Sequence, residues 1–453
     1  MSTKPTHVRW LLVFWLFVLS AVSYLDRVNI SVAGGLLASA YGFSNVQLGW
    51  VFSSFLISYA LFQTIGGRLA DRLGARRVLT LGVLWWGVFT ALTAAVPLRM
   101  AGALAVLMAI RFLLGAGEAI VYPASSQVIA HWIPSQERGI ANGWIFAGVG
   151  AGAGLSPPLI SYIMVHYGWR VSFWVCAAIG LAVGVVWYLI SRDEPAQHPG
   201  VSSTELTLIR AGLTLSDSDR ETSRTGGAQV VPWRMVLKSL DVLAVTLSYF
   251  CFGYVAWIFF SWFYIYLAQV RGLNLKASAF YAMLPFIAMA VCCTLGGTLS
   301  DRLTRWRGPR LGRCVTACFA MTIAAVFLSL GALAQSARLA SVILAGGAGA
   351  LYLGQSSFWA VTADIAGASS GSVSGFMNMG GQIGGAVTAS LTPWIATRVG
   401  WTASFLLAAA LCLLGAVAWL VVDPTRAVAA IAQDSTSAVA GPAHKIGIPA
   451  AGS

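Results

Sequence analysis

Residues 67–77 read GRLADRLGARR, and the same pattern returns once, as GTLSDRLTRWR, at residues 297–307. Gly, Leu, Asp, Arg and Leu occupy the same five places in both copies, which lie 230 positions apart. A second match pairs Gly-Trp at 168–169 with Gly-Trp at 400–401, a shift of 232. Two matches at nearly one shift indicate a duplicated unit that fills most of the chain.

The composition around these motifs is that of a membrane protein. Of 453 residues, 58% are hydrophobic and 9% are charged, whereas a soluble domain carries about 25% charged residues. Apolar runs of roughly 20 residues recur, and each can cross a hydrocarbon layer of ~30 Å as a helix. Because lipid offers the backbone no hydrogen-bond partners, we predict an all-α membrane protein. The predicted spans are about 10–30, 46–66, 78–97, 102–129, 139–163, 170–190, 240–268, 277–299, 314–334, 338–363, 372–395 and 402–422.

The twelve spans fall into two sets of six. Residues 1–190 are predicted to form one six-helix bundle and residues 239–424 a second. Between them, 191–238 is rich in Ser, Thr and charge and is predicted to be a cytoplasmic linker. Residues 425–453, rich in Ala, Gly and Ser, are predicted to be a disordered cytoplasmic tail.

The basic residues define an orientation. The net charge is +13, which would suit a nucleic-acid partner, but the charges are not clustered as such a partner requires. Of the 28 Lys and Arg residues, 20 lie on the side of the linker and both termini, and 6 lie on the other side. This positive-inside pattern predicts cytoplasmic termini and a lipid bilayer, rather than nucleic acid, as the partner.

Four ionisable residues stand inside the predicted spans of the first half: Asp26, Arg27, Arg111 and Glu118. Each costs at least ~2.5–3.5 kcal/mol at mid-bilayer, so they should face the bundle interior. Arg111 and Glu118, seven apart, share a helix face, whereas Asp26 and Arg27 point about 100° apart. Arg can hold a carboxylate, and a desolvated carboxyl group readily takes up a proton. The alternative is an ion-pair network that only fixes helix packing, for example Asp26 with Arg111.

The chain resembles a known superfamily. Residues 67–77 have the form of the loop signature of the major facilitator superfamily. Tyr24-Leu-Asp-Arg27 with Asn29, Arg111-Phe-Leu-Leu-Gly-Ala-Gly-Glu118, residues 193–199, and Gly-Phe-Met-Asn378 resemble its anion:cation symporter family. The resemblance implies twelve transmembrane helices in two six-helix bundles, the major facilitator fold. It further implies a monomer in a bacterial inner membrane that imports a small organic anion, such as a hexonate, hexuronate or aldarate, with protons.

The resemblance also implies roles for single residues. Asp26 and Glu118 would carry protons, and Arg27 would hold the substrate carboxylate. The remaining substrate-binding candidates are polar or aromatic residues in spans 1, 2, 4, 10 and 11, which would line the cavity: Tyr24, Tyr59, Arg111, Ser356, Trp359 and Asn378. Hydroxyls and amides can read a polyol, and Trp can pack on its C–H face. For these residues the alternative is ordinary helix packing.

Acidic and basic residues at the predicted cytoplasmic rim are candidate gates. A carboxylate there can bind helix N-terminal amides or an Arg of the other half, which closes that side in one state. Orientation signalling alone accounts for Arg side chains but not for the acids, which contribute little to orientation. The gating candidates are Asp71, Arg72, Arg138, Asp301 and Arg302.

Other classes of function lack their motifs. No Cys-x-x-Cys pair, metal-ligand spacing, ATP-binding loop or nucleophile–base arrangement is present, so we predict neither an enzyme nor a metal site. No cofactor is expected, since a proton gradient would supply the energy. Residues 145–154 carry no amide where related sugar-acid carriers often place a Gln. The substrate is therefore expected to be less hydroxylated than a hexonate, or to bind differently.

Two rival functions remain open. A multidrug or organophosphate antiporter could share this fold, although Arg27 favours anionic cargo over cationic drugs. A non-transporting membrane sensor is the second alternative, and a large added signalling domain would favour it. Among these 453 residues we predict no such domain.

Overall fold

The computed structural model describes residues 5–134, 137–211, 238–366 and 370–425, and the regular structure there is entirely helical. In chain order the main helices are α1 Val8–Tyr41, α2 Asn45–Leu73, α3 Ala75–Ala95, α4 Ala103–Glu118, α5 Val121–Trp132, α6 Arg138–Tyr167, α7 Trp169–Ile190, α8 Leu240–Ser261, α9 Leu275–Arg307, α10 Thr316–Leu333, α11 Ala337–Leu353, α12 Gln355–Ala366, α13 Ser370–Arg398 and α14 Trp401–Val421. Short segments at Phe263–Ile265, Tyr266–Val270 and Arg310–Val315 extend α8 and lead into α10. The predicted all-helical membrane fold is confirmed.

Eleven helical segments in these described ranges are long and apolar enough to cross a membrane. Two of them are pairs of consecutive helices: α4 with α5, and α11 with α12. Helix α13, 29 residues long, packs against α8 and α2 and completes two sets of six. The predicted disorder of the tail and most of the predicted linker fall on residues that the structure does not describe.

The duplication is visible in the helix breaks. The fourth span of the first half is interrupted between Glu118 and Val121, where α4 gives way to α5. The fourth span of the second half is interrupted at Gly354, between α11 and α12. The two breaks occupy equivalent places in the two halves. Helix α2 passes close to the first break because Gly66 lacks a side chain, and a Cβ there would lie 2.9 Å from the Cα of Ile120.

Equivalent helix pairs also pack through glycine in both halves. A methyl group on Gly152 of α6 would overlap the backbone of Ala21 in α1. In the second half, a methyl group on Gly253 of α8 would overlap the backbone of Gly381 in α13. Small residues at these crossings let the helix backbones touch, which is how membrane helices gain packing energy without a hydrophobic driving force.

The molecule has the distribution of polarity that a bilayer demands. Large apolar side chains are exposed on the outside of the bundle, among them Leu155, Leu189, Leu240, Leu333 and Leu420. The four charged side chains deep inside the spans of the first half are instead buried. In lipid, exposed apolar side chains cost no free energy, whereas charged side chains are unfavourable unless they face the interior of the bundle.

The two halves touch along the bundle, and most of the hydrogen bonds between them lie toward one end. We call the end that carries Ile190 and the start of the linker the linker end, and the opposite end, where α1 stops at Tyr41, the far end. Ser31 Oγ donates to the carbonyl of Ser261 at 2.7 Å, and further bonds between the halves join Ser53 with Ala386 and Ser161 with Tyr264. At the far end, Gly49 of α2 also packs tightly on the carbonyl of Ala389. These contacts close the far end.

The ion pairs at the linker end stay within one half. In the first half, Arg9 binds Glu137 at 3.0 Å and Glu205 of the linker at 3.1 Å. In the second half, Arg313 binds Asp301 at 2.6 Å. Among the described residues no ion pair joins the two halves there. Each half is therefore braced internally at the linker end, while the far end holds the halves together.

Candidate functional site

A buried ion pair lies at the centre of the first half. Arg27 Nε donates to Glu118 Oε2 at 2.8 Å, and the two residues are only 5% and 0% exposed. Glu118 is the last residue of α4, and its carboxylate reaches across to Arg27 of α1. A buried guanidinium without an anion would be costly, and the pairing offsets much of that cost.

Three aromatic rings surround the guanidinium of Arg27. Its Cζ lies 4.6 Å from the ring centroid of Tyr24, 4.5 Å from that of Tyr59 and 5.4 Å from that of Phe55. Tyr24 is one turn before Arg27 on α1, and Phe55 and Tyr59 are one turn apart on α2, so helical periodicity brings the rings together. Desolvated cation–π contacts of this kind stabilise the cation and fix its orientation.

Arg111 is the second buried cation, and it has no carboxylate partner. It is 3% exposed, and its guanidinium Cζ lies 4.8 Å from the centroid of the same Phe55 ring. Its Nε has no hydrogen-bond partner, and within the described residues it makes no ion pair. Two cations thus share one phenyl ring, and only Arg27 is directly neutralised.

Asp26 faces away from Arg27, as the 100° offset of neighbouring helix residues requires. It is 2% exposed, and neither of its carboxylate oxygens has a hydrogen-bond partner. The potential donors beside it are Thr90 and Trp86 of α3. Asp26 and Arg111 do not approach to ion-pair distance, so the packing pair considered from the sequence is not formed; Arg27 and Glu118 form the pair instead.

A small cavity lies between the two halves beside these charges. Arg27 and Arg111 form its charged wall, and Trp257, Phe260 and Ser261 of α8 close it from the second half. Its remaining lining residues come from α1 and α2: Ile30, Ser31, Phe52, Phe55 and Leu56. Unpaired buried polar atoms remain at this place on Arg27 (Nη2) and Glu118 (Oε1). The site therefore places unsatisfied charged groups beside a space of about 10 Å³ at the interface. That space holds about one water molecule, so an organic anion can enter only when the halves move apart.

The structure gathers six sequence-predicted residues in the first half: Tyr24, Asp26, Arg27, Tyr59, Arg111 and Glu118. The three candidates of the second half do not line this cavity, and neither do Tyr24, Asp26, Tyr59 and Glu118 of the first half. Ser356 has a hydroxyl without a partner, and Trp359 is 38% exposed with its ring 6.4 Å from that of Tyr249. Asn378 Nδ2 donates across the interface to Gln63 Oε1 at 3.0 Å.

The gating candidates lie at the linker end. Asp301 accepts a hydrogen bond from Arg313 within its own half, and Arg72 and Arg302 are exposed. The side chains of Asp71 and Arg138 fall outside the described part of the structure. Their gating roles stay predictions, because no contact between the halves engages the described ones in this conformation.

Several site residues have no signal in the sequence. Phe55, Trp257 and Phe260 shape the cavity, but aromatic residues recur along every span and the sequence cannot tell which face inward. Outside the site, the sequence also gives no sign that Glu205 of the linker is fully buried and paired with Arg9. In the described part of the chain no three His, Cys, Asp or Glu side chains gather as a metal site requires.

Two related six-helix sets around a charged interface cavity define a membrane transporter. The family model described as "Major Facilitator Superfamily" matches residues 16–389 and, again, 309–447. The chain therefore belongs to the Major Facilitator Superfamily, as its motif at residues 67–77 indicates.

Curated relatives are also transporters. A Cupriavidus necator protein described as "Probable sulfoacetate transporter" is 33% identical over 405 residues, 89% of this chain and 91% of that protein. An Escherichia coli protein described as "Probable galactarate/D-glucarate transporter" is 31% identical over 412 residues, 89% of each chain. The hexuronate transporter of Bacillus subtilis is 28% identical, with 90% of this chain and 92% of that protein covered.

A solved structure shows the same fold at low sequence identity. It is a bacterial homolog of the human lysosomal transporter Spinster in an inward-facing and occupied conformation. The TM-score is 0.73 at 16% identity, with 92% of this chain and 97% of that chain covered. This likeness establishes the architecture of the chain.

Proposed function

We propose that this chain is a proton-coupled symporter that imports a small organic anion, a sugar acid or related carboxylate, by alternating access. Relatives described as transporters of sulfoacetate, galactarate, D-glucarate and hexuronate support an acidic cargo. The membrane is the bacterial inner membrane, and the linker end, with both chain termini, faces the cytoplasm in agreement with its excess of basic residues.

The proposal rests mainly on the buried pair of Arg27 and Glu118 at the interface cavity. In a site this poor in water, the Arg27 guanidinium needs an anion. Glu118 supplies it when the site is empty, and a substrate carboxylate replaces it when the site is loaded. The two anions compete for one cation, so protonation of Glu118 strengthens substrate binding. Linkage then requires that bound substrate favours protonation of Glu118 by the same free energy.

Asp26 supplies a second proton site in this scheme. Its carboxyl group is buried without a hydrogen-bond partner, and removal from water favours the neutral form. It lies on α1 next to Arg27 but on the side of α3, so it can take up a proton without touching the cargo. Its neutralisation would reduce the buried charge before the halves move.

The conformational cycle follows from the closed far end. In this structure the halves are joined there by contacts such as Ser31 with Ser261. To load cargo from outside, these contacts must open and the linker end must close. The gating candidates Asp71, Arg72, Arg138, Asp301 and Arg302 lie where the two halves would then meet, and we assign them the closing contacts of that state.

Reconstitution tests the function directly. The purified protein in proteoliposomes should accumulate a labelled sugar acid or sulfoacetate above its external concentration when the outside is acidic. Accumulation should vanish when a protonophore collapses the pH gradient. Drug-driven or phosphate-driven exchange without organic-acid uptake would favour the antiporter alternative instead.

A further inference from the structure

We propose that the cargo is a short dianion with few hydroxyl groups, whose two acid groups bind Arg27 and Arg111, and that two protons accompany it. The inference rests on the proposed symport function. It specifies the substrate class and the charge balance of that same site.

The two buried cations, Arg27 and Arg111, lie close enough together to bind one small molecule. The guanidinium carbons of Arg27 and Arg111 lie 5.4 Å and 4.8 Å from the centroid of one phenyl ring, that of Phe55. Both residues line the same cavity, and both keep a buried N–H without an acceptor, on Nη2 and Nε respectively. A monoanion would satisfy one of them. A short molecule with an acid group at each end can satisfy both.

The walls of the cavity are mostly apolar. Apart from the cations, the cavity is lined by Phe52, Phe55, Leu56, Trp257 and Phe260 together with Ile30 and two serines. The Ser31 hydroxyl already donates its hydrogen to the carbonyl of Ser261. A polyol placed here would lose its hydrogen bonds to water and find few replacements. The walls therefore suit a short hydrocarbon segment between the acid groups.

The four buried charged residues of the site balance one another. Asp26 and Glu118 compensate Arg27 and Arg111, so the empty site is neutral when all four are ionised. A dianion added to this buried cluster leaves two uncompensated negative charges unless both carboxylates take up protons. An unbalanced charge in a water-poor site is strongly unfavourable. The loaded site is neutral with two protons and one dianion, and its transport is electroneutral.

Binding measurements test the two-cation site. The probes are succinate and its matched monoanion succinamate, in which an amide replaces one carboxylate, with sulfoacetate as a second dianion. Calorimetry on the full chain in detergent at pH 7 should show succinate binding at least about tenfold tighter than succinamate, the effect of one charge-assisted contact. Arg111→Gln should remove that preference, because it should weaken succinate binding by a larger factor than succinamate binding. Arg111→Lys, which keeps the charge, should retain part of it.

The outcomes distinguish a failure of the dianion inference from a failure of the symport proposal. If succinamate and other monoanions bind as well as the dianions and Arg111→Gln lowers both equally, the dianion inference is overturned and the symport function stands. If Arg27→Ala leaves all anion binding intact in a protein with native melting behaviour, the symport proposal itself fails. In proteoliposomes, proton-driven sulfoacetate or succinate uptake should not respond to a potassium–valinomycin potential. A current that accompanies uptake would refute the pairing of two protons with one dianion.

Discussion

Ser31 donates a hydrogen bond to the carbonyl of Ser261, the residue 230 positions further along the chain. This is the shift that separates the two copies of the repeated motif at residues 67–77 and 297–307. The bond therefore joins equivalent positions of the duplicated unit, on α1 and α8, where the pseudo-symmetry axis passes between the halves. Equivalent residues that touch on such an axis must separate when the far end opens.

A disulfide at this position should lock the transporter. The double variant Ser31→Cys with Ser261→Cys, oxidised with copper phenanthroline, should lose uptake in proteoliposomes because the far end cannot open. A reductant should restore the activity. The seven native cysteines form no disulfide bonds with one another. The single variants are therefore the control for any cross-link between an introduced cysteine and a native one. Full uptake by protein shown to be cross-linked would contradict the closed state assigned to this end.

The linker is anchored by a buried acid. Glu205 accepts hydrogen bonds from the Thr6 hydroxyl, the backbone N–H groups of Val8 and Arg9, and the Arg9 guanidinium. It thereby caps the start of α1, whose first amides have no partners within the helix. Replacing Glu205 with Ala should destabilise the protein by about 3 kcal/mol, because the change leaves Arg9 buried and partly unpaired. A lower melting temperature in detergent, with Glu194→Ala at an exposed site as the control, would be the expected result.

Much of the site followed from helix geometry alone. The spacing of Arg111 and Glu118 put them on one face, and the adjacency of Asp26 and Arg27 separated their directions, as the structure has them. The choice of ion pair did not follow. It depends on how α4 packs beside α1, which brings the Glu118 carboxylate to Arg27 rather than Asp26 to Arg111.

The second half was harder to predict from residue type. Ser356, Trp359 and Asn378 are polar or amphipathic residues within spans, but their direction depends on helix rotation and on the break at Gly354. Trp257 and Phe260 reach the cavity because α8 crosses α1 close to Ser261. Such crossings are a tertiary property, and apolar periodicity in a membrane helix does not mark them, since lipid and core are equally apolar.

Arg27 is expected to dominate anion affinity. Removal of one partner of a buried charge pair costs about 2–5 kcal/mol, so Arg27→Ala should weaken binding by roughly 30-fold or more. Arg27→Lys keeps the charge but loses the planar fork and should retain part of the affinity. Arg398→Ala at the far end, where the side chain stacks on Trp394, is the matched control and should bind normally. Calorimetric titration with sulfoacetate measures all three, and equal affinities would remove Arg27 from the site.

Glu118 should decide the coupling to protons. In Glu118→Gln the side chain cannot ionise, so it mimics the protonated state and no longer competes with the cargo for Arg27. Exchange of internal for external substrate should persist, because it needs binding and rocking but no net proton movement. Accumulation driven by a pH gradient should fall sharply, because only Asp26 remains to carry a proton. Exchange should lose its decline at high pH, which in the native protein reflects the return of the negative charge beside Arg27. Parallel exchange and uptake assays from pH 5.5 to 8 on the same vesicle preparation, roughly one unit to either side of neutrality, separate these effects.

Asp26→Asn provides the comparison for the second proton site, since it changes a carboxyl group that touches neither Arg27 nor the cavity. Undiminished gradient-driven accumulation in Glu118→Gln would assign the proton route to Asp26 alone and reduce Glu118 to a structural partner of Arg27.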